Sequence, residues 1–135
     1  MDLLSHLTQQ GARADRDDWA HDAACTSIGP DIWFDADEDR DTRQLALEGC
    51  AVCPVVRQCL QHALSIGATH GVWGMTTVAQ RRGIARHLEA GVDLVTAVQR
   101  YQEQVAAGRQ RTADAVRERH ARARLAAAKR AVVAA

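Results

Sequence analysis

Four cysteines place the strongest constraint on what this chain can fold into. Cys50 and Cys53 form a CxxC pair, five residues separate Cys53 from Cys59, and 24 residues lie between Cys25 and Cys50. Two thiolates at CxxC spacing can bind one centre from a single turn of chain, and Cys59 is near enough to face the same centre. Cys25 must return across a long intervening segment. A centre shared by all four would therefore tie distant parts of the chain together.

Three kinds of chemistry are compatible with this spacing. Structural zinc usually has two tight ligand pairs, whereas this chain has one, and the neighbouring His21 and His62 lack zinc-finger spacing. A thioredoxin-like redox pair needs a βαβ context, and no strand pattern is visible. Four cysteines with one distant member are typical of an iron–sulfur cluster. The spacing favours a cluster and leaves structural zinc and thiol redox chemistry open.

The remaining sequence predicts a small all-α protein with a thin core. Apolar residues make up 47% of the 135 residues, but aromatics make up only 4% and much of the rest is alanine. Alanine buries little area, so a bound centre would have to supply part of the stability. No segment alternates as a strand does, and none has the length of a membrane span or the pattern of a secretory signal. We expect a cytoplasmic protein, in which structural disulfides are rare.

Capping signals and glycines predict where the helices begin and end. Helices are expected from Asp2 to Gln10, from Thr42 to Glu48, from Pro54 to Gly67, from Thr77 to Ala90, from Asp93 to Ala107, and from Thr112 onward. In this prediction Gly11, Gly49, Gly67 and Gly91 end helices, and Thr77 with Gln80 forms a capping box. Residues 15–41 are expected to be mostly loop with short helical turns.

The net charge of zero conceals an asymmetry along the chain. Residues 1–70 contain twelve acidic residues and five Lys or Arg, whereas residues 71–135 contain five acidic residues and twelve Lys or Arg. A basic second half indicates contact with a polyanion, although a solvated basic helix would have the same composition. The acidic run at residues 35–41 is expected to be a solvated loop.

Two segments together resemble the actinobacterial WhiB-like family. The sequence from Cys50 to Leu60, Cys-Ala-Val-Cys-Pro-Val-Val-Arg-Gln-Cys-Leu, is followed by Gly-Val-Trp-Gly at residues 71–74. The family has a lone cysteine, then C-x₂-C-x₅-C, then a turn usually written GVWGG, then a basic helix. The resemblance covers about residues 19–87. One departure is Met75 in place of the second glycine of the turn, where strain is expected if the position needs positive φ.

The resemblance implies a [4Fe–4S] cluster held by Cys25, Cys50, Cys53 and Cys59 in a transcriptional regulator that is not an enzyme. The cluster domain would span residues 19–90, between an N-terminal helix and linker at 1–18 and a basic helical extension at 91–135. Such a cluster could respond to oxygen or nitric oxide. The alternatives are a thiol–disulfide reductase that uses Cys50 and Cys53, and a structural zinc module for protein contacts.

The resemblance also implies a protein partner, the C-terminal domain of the primary sigma factor of RNA polymerase. Its expected contacts are Trp19, Trp33, Phe34, Gly71, Val72, Trp73 and Gly74. The alternative is that these aromatic residues only shield the cluster and fill the core. Neither a membrane nor a small-molecule substrate is expected.

Family members place DNA-contacting basic residues after the Gly-Val-Trp-Gly segment at residues 71–74, which we call the tryptophan turn. The expected DNA contacts are Arg81, Arg82, Arg86, Arg117, Arg119, Arg122, Arg124, Lys129 and Arg130. Helical spacing does not gather the basic residues of the tail on one face, so the expected contact is with phosphates and is auxiliary and non-specific.

Overall fold

The computed structural model describes residues 2–10, 18–29 and 31–135. The helices are α1 (Leu3–Gln9), α2 (Asp31–Asp35), α3 (Arg40–Ala51), α4 (Val56–Ser65), α5 (Val78–Glu89) and α6 (Leu94–Ala134), with 3₁₀ turns at Trp19–Asp22 and Ala24–Ser27 before α2. Across the described ranges the only extended pairing is a single bridge between Trp73 and Thr76. The prediction of an all-α fold is confirmed. No described helix has the length and apolar character needed to cross a membrane.

The chain divides into two compact units, Met1–Gln99 and Arg100–Ala135. The second unit consists of the later part of α6 and its side chains are mostly exposed. The predicted break in this region is wrong, since Gly108 lies inside α6. One glycine in a helix costs only about 1 kcal/mol relative to alanine, and the flanking Ala and Arg residues favour helix. Leu94 and Val98, at the start of α6, are buried and belong to the first unit.

The start and end predicted for α3 are also wrong. Asp39, not Thr42, is its N-cap, because the Asp39 carboxylate accepts the Thr42 backbone N–H at 2.7 Å. At the other end the helix continues through Gly49 to Ala51. Gly49 has a packing role instead, since a Cβ atom there would lie 2.9 Å from Cζ2 of Trp33. The glycine leaves room for the indole ring against the helix.

Other local predictions have mixed outcomes. Gly67 follows the end of α4 with φ +62°, as expected, but the helix begins at Val56, after Pro54. The capping box of Thr77 and Gln80 is confirmed in α5. The predicted end of the first helix at Gly11 lies outside the described residues.

Two buried apolar groups of the first unit contain cysteine side chains. One buried group contains Trp33, Ala36, Ala46, Cys50 and Val72, and a second contains Ala23, Cys53, Val55 and Val56. Cys25 and Met75 pack against both groups. These two groups and the candidate site therefore occupy the same part of the molecule.

Candidate metal-cluster site

Four separate segments bring the cysteines to one place. Cys25 lies in the second 3₁₀ turn, Cys50 in the last turn of α3, Cys53 in the link to α4, and Cys59 within α4. All four are free thiols, and all four line a single cavity of about 220 Å³. The structure thus brings the four cysteines that the sequence singled out to one cavity.

The size of this cavity favours a group of several atoms. Its volume is several times the roughly 30 Å³ that one water molecule occupies in the liquid. Apart from the thiols, its walls are mostly aromatic and aliphatic, including Trp19, Trp33, Val56 and Val72. Among the residues that the structure describes, no three His, Cys, Asp or Glu side chains lie close enough to hold one metal ion. The four thiols therefore line a space that is larger than a site for a single metal ion.

Hydrogen-bond donors point at two of the sulfur atoms. The Trp33 indole N–H donates to Cys50 Sγ at 3.3 Å, and the Gly74 backbone N–H donates to Cys59 Sγ at 3.2 Å. The Met75 backbone amide is also placed to bond Cys50, and this bond offsets part of the rise in the Cys50 pKa that burial causes. A donor near sulfur stabilises the negatively charged thiolate, and such donors orient and tune metal ligands.

Burial opposes ionisation of the same thiols in the absence of metal. It raises the pKa of Cys59 to about 12, against the smaller effect of the Gly74 hydrogen bond. Burial likewise raises the pKa of Cys50 and of Cys25. The donors alone are therefore insufficient to hold thiolates here, and a positively charged metal centre would supply what is missing. A reactive redox cysteine needs the opposite, a lowered pKa.

The tryptophan turn lies against α4 at a glycine where any side chain would clash with the helix backbone. Trp73 and Thr76 exchange backbone hydrogen bonds of 3.0 and 2.9 Å, and both residues between them have positive φ, as in a type I′ turn. A Cβ atom on Gly74 would lie 2.6 Å from the Leu60 backbone nitrogen. Met75 has φ +59°, which confirms that the departure from glycine falls at a position with positive φ.

Arg81 has a structural role that the sequence did not indicate. Its side chain is only 3% exposed. The guanidinium donates to the backbone carbonyl oxygens of Ala68, His70, Gly71 and Thr76. These bonds close the segment that carries the tryptophan turn, so the expectation that Arg81 contacts DNA is contradicted. Arg82 and Arg86 are exposed on α5.

A row of aromatic rings lies beside the cavity. Ring centroids are 6.2 Å apart for Phe34 and Trp73, 6.0 Å for Trp73 and His62, and 5.6 Å for His62 and Trp19. We call these four residues the aromatic row. Phe34 is 49% exposed, His62 is exposed, and the two tryptophans are half-buried. His62 was not among the predicted contacts, and its position one helical turn after Cys59 was the available signal.

The other expected sigma-factor contacts are buried. Trp33 is 6% exposed and its indole faces Cys50, and Val72 is 4% exposed. Gly71 and Gly74 are also buried, with the Gly71 N–H donating to the Asp37 carboxylate at 2.7 Å. These four residues support the cavity and the turn, and their burial leaves little of them available to a protein partner.

The predicted basic residues of the second unit are exposed on α6. They are Arg117, Arg119, Arg122, Arg124, Lys129 and Arg130. Arg117 lies 3.3 Å from the Asp114 carboxylate, and Arg122 pairs with Glu118. Such exposed pairs contribute little to stability and leave the helix open to solvent.

Comparison with known proteins identifies relatives of the first unit. A family model described as transcription factor WhiB matches residues 19–84, a segment that contains the four cysteines and the tryptophan turn. The chain is 34% identical over 86 residues to the redox-responsive transcriptional regulator WhiB3 of Mycolicibacterium smegmatis, covering 56% of this chain and 90% of that protein. It is 33% identical over 76 residues to the redox- and pH-responsive transcriptional regulator WhiB3 of Mycobacterium tuberculosis, with 53% and 74% covered. It is also 34% identical over 76 residues to the transcriptional regulator WhiD of Streptomyces coelicolor, with 53% and 68% covered.

Proposed function

The chain belongs to the WhiB family, and from this premise we propose that it is a cytoplasmic transcriptional regulator that binds one [4Fe–4S] cluster. The ligands would be Cys25, Cys50, Cys53 and Cys59. The observation that carries the proposal is that four free thiols from four segments line one apolar cavity with room for several atoms. Burial raises the pKa of the Cys50 thiol, which counts against the alternative of a thiol–disulfide reductase that uses Cys50 and Cys53.

The protein's own groups would prepare this site for a cluster. Trp33 and the Gly74 amide donate hydrogen bonds to sulfur, and the apolar walls limit access of water. When bound, the cluster would supply a redox-active centre that reacts with oxygen or nitric oxide. Relatives that carry the name redox-responsive support a response of this kind in the present chain.

The aromatic row is the surface we assign to the C-terminal domain of the primary sigma factor. Partly exposed Trp and Phe side chains are frequent anchors of protein interfaces, since they bury large areas and lose little side-chain entropy. Trp73 adjoins Gly74, whose N–H bonds to the Cys59 sulfur. A change at the cluster would therefore alter the turn that carries one anchor of the docking surface.

DNA contact would be auxiliary and would come from exposed basic side chains. Arg82 and Arg86 on α5 and the basic residues of the second unit are accessible to phosphates. Their distribution around α6 supports a charge-driven contact without base recognition. Arg81 is not included, because its guanidinium is buried and hydrogen-bonded to carbonyl oxygens.

Anaerobic purification tests the central part of this proposal. We expect a brown protein with iron and sulfide in nearly equal amounts, and a Cys59→Ser variant that loses most of its visible absorbance. The control is Ser65→Ala, which replaces a serine of the same helix outside the cavity and should leave the spectrum unchanged. A colourless wild-type protein loaded with zinc would refute the cluster and favour a structural zinc module.

A further inference from the structure

The first helix reaches the cluster site although it lies outside the segment matched by the family model. The side-chain amide of Gln10, the residue that follows α1, donates from Nε2 to the Cys53 carbonyl oxygen at 2.9 Å. Its Oε1 accepts the backbone N–H of Arg57 at 3.3 Å. One amide group therefore spans the turn from a proposed cluster ligand to the first residues of α4.

The turn has polar backbone groups that its own residues cannot satisfy. The first N–H groups of a helix lack partners within the helix, and they are usually bonded by a side chain at the N-cap. The N-cap of α4 is Val55, which has no such side-chain bond. Cys53 is buried, so its carbonyl oxygen also needs a donor, and the Gln10 amide provides one. Gln10 supplies both the acceptor and the donor.

Gln10 is itself held in place by its surroundings. His6 Nδ1 lies 3.0 Å from the Gln10 amide nitrogen. In return, the Arg57 guanidinium donates to the Leu7 carbonyl oxygen at 2.6 Å, in the last turn of α1. Leu7 is fully buried, and Leu3 packs against the buried group that contains Cys53. The end of α1 and the start of α4 thus satisfy each other's free backbone groups.

We propose that Gln10 is a positioning residue for the cluster. It fixes the peptide of Cys53 and the first turn of the helix that carries Cys59. Through this residue α1 contributes to the position of two proposed cluster ligands. The inference rests on the proposed cluster ligands. Loss of a group that orients a metal ligand typically lowers metal affinity by about 10- to 100-fold.

Gln10→Glu removes the donor while nearly preserving the size and shape of the side chain. One carboxylate oxygen can still accept the Arg57 N–H, but the other faces the Cys53 carbonyl, where two acceptors repel each other. Gln10→Met is a neutral second variant that removes both hydrogen bonds. The matched control is Gln9→Glu, which makes the same chemical change one residue earlier, on an exposed side chain.

The measurement is loss of visible absorbance when anaerobic, iron-loaded protein meets an excess of an iron chelator. We expect loss to be about tenfold or more faster in Gln10→Glu and Gln10→Met, and unchanged in Gln9→Glu. Resonance Raman spectra of the loaded proteins should show shifted iron–cysteine stretching bands only in the Gln10 variants. A purely structural role would lower the melting temperature without moving these bands.

The outcomes separate this inference from the proposed function. A loaded wild type together with Gln10 variants that lose iron at the wild-type rate would overturn the role of Gln10 alone. Equal acceleration in Gln9→Glu and Gln10→Glu would assign the effect to added charge and would also overturn it. A wild type that binds no iron would overturn the cluster, and the role of Gln10 with it.

Discussion

Met75 is the residue at which backbone conformation and side-chain packing act in opposite directions. Its φ of +59° belongs to the left-handed region, where a Cβ atom meets the following carbonyl oxygen. Its side chain, however, packs against the two buried groups that contain Cys50 and Cys53. Replacing Met75 with glycine would relieve the first effect and lose the second, so a single substitution cannot separate them.

Two substitutions at this position separate the two effects. Met75→Ala loses the packing and keeps the backbone cost, and we expect the free energy of unfolding to fall by about 1–2 kcal/mol because the side chain is only partly buried. Met75→Gly loses the same packing but relieves about 1 kcal/mol of backbone strain. The glycine variant should therefore be the more stable of the two by about 1 kcal/mol.

Anaerobic thermal unfolding of the iron-loaded proteins, followed by circular dichroism, checks this order. For a unit of about 100 residues, a difference of 1 kcal/mol corresponds to roughly 4–8 °C in melting temperature. The control is Ala85→Gly, the same alanine-to-glycine difference at a helical position of α5, which should lower stability by about 1 kcal/mol. A Met75→Gly protein that melts below Met75→Ala would refute the argument that positive φ is costly here.

Four further predictions test other parts of the site. Trp73→Ala should weaken binding of the sigma-factor C-terminal domain more than roughly tenfold in a pull-down titration. The visible spectrum should persist, because Trp73 is not a proposed ligand. Rapid bleaching would instead show that Trp73 shields the cluster. Trp33→Phe removes the indole donor to Cys50 and should accelerate loss of the cluster to oxygen, whereas an unchanged rate would show that this hydrogen bond is dispensable. Removing the metal should cost much of the helical circular dichroism signal of the first unit, and a fully helical metal-free protein with a sharp melting transition would contradict the thin-core argument. If metal-free protein does retain a fold, its stability should be highest below the ordinary thiol pKa of 9.0 and fall as pH rises toward 12, because the folded chain holds the Cys59 proton more tightly than the unfolded chain.

The basic residues of the second unit can be tested separately from the aromatic row. Replacing Arg119 and Arg124 with Gln should flatten the salt dependence of DNA binding and leave sigma-factor binding intact. A parallel change at Arg81 should behave differently, because its buried guanidinium holds four carbonyl oxygens around the tryptophan turn. Arg81→Gln should therefore destabilise the first unit, which a lowered melting temperature would reveal.

The features that the sequence alone determined depend on neighbours within about one helical turn. The spacing of Cys50, Cys53 and Cys59 indicated a shared centre, and the Thr77–Gln80 capping box and Gly67 marked helix ends that the structure confirms. These patterns are legible because a cap or a chelating pair forms between residues three to six positions apart, whatever the rest of the chain does. The asymmetry of charge was equally visible, since it needs no fold to exist.

Only the tertiary structure decided the roles of residues whose partners are distant in sequence. Gly49 looked like a helix end, but it lies inside α3, and the indole of Trp33 occupies the space that a Cβ atom would need. Arg81 looked like a DNA contact, but its guanidinium is buried. Hydrogen bonds to backbone carbonyl oxygens of the folded turn stabilise the charge there. Gln10 carried no signal at all, since its bonds to Cys53 and Arg57 cross more than 40 residues. Unsatisfied backbone groups and close-packed surfaces appear only when the chain folds, so the residues that complete them cannot be identified from local pattern.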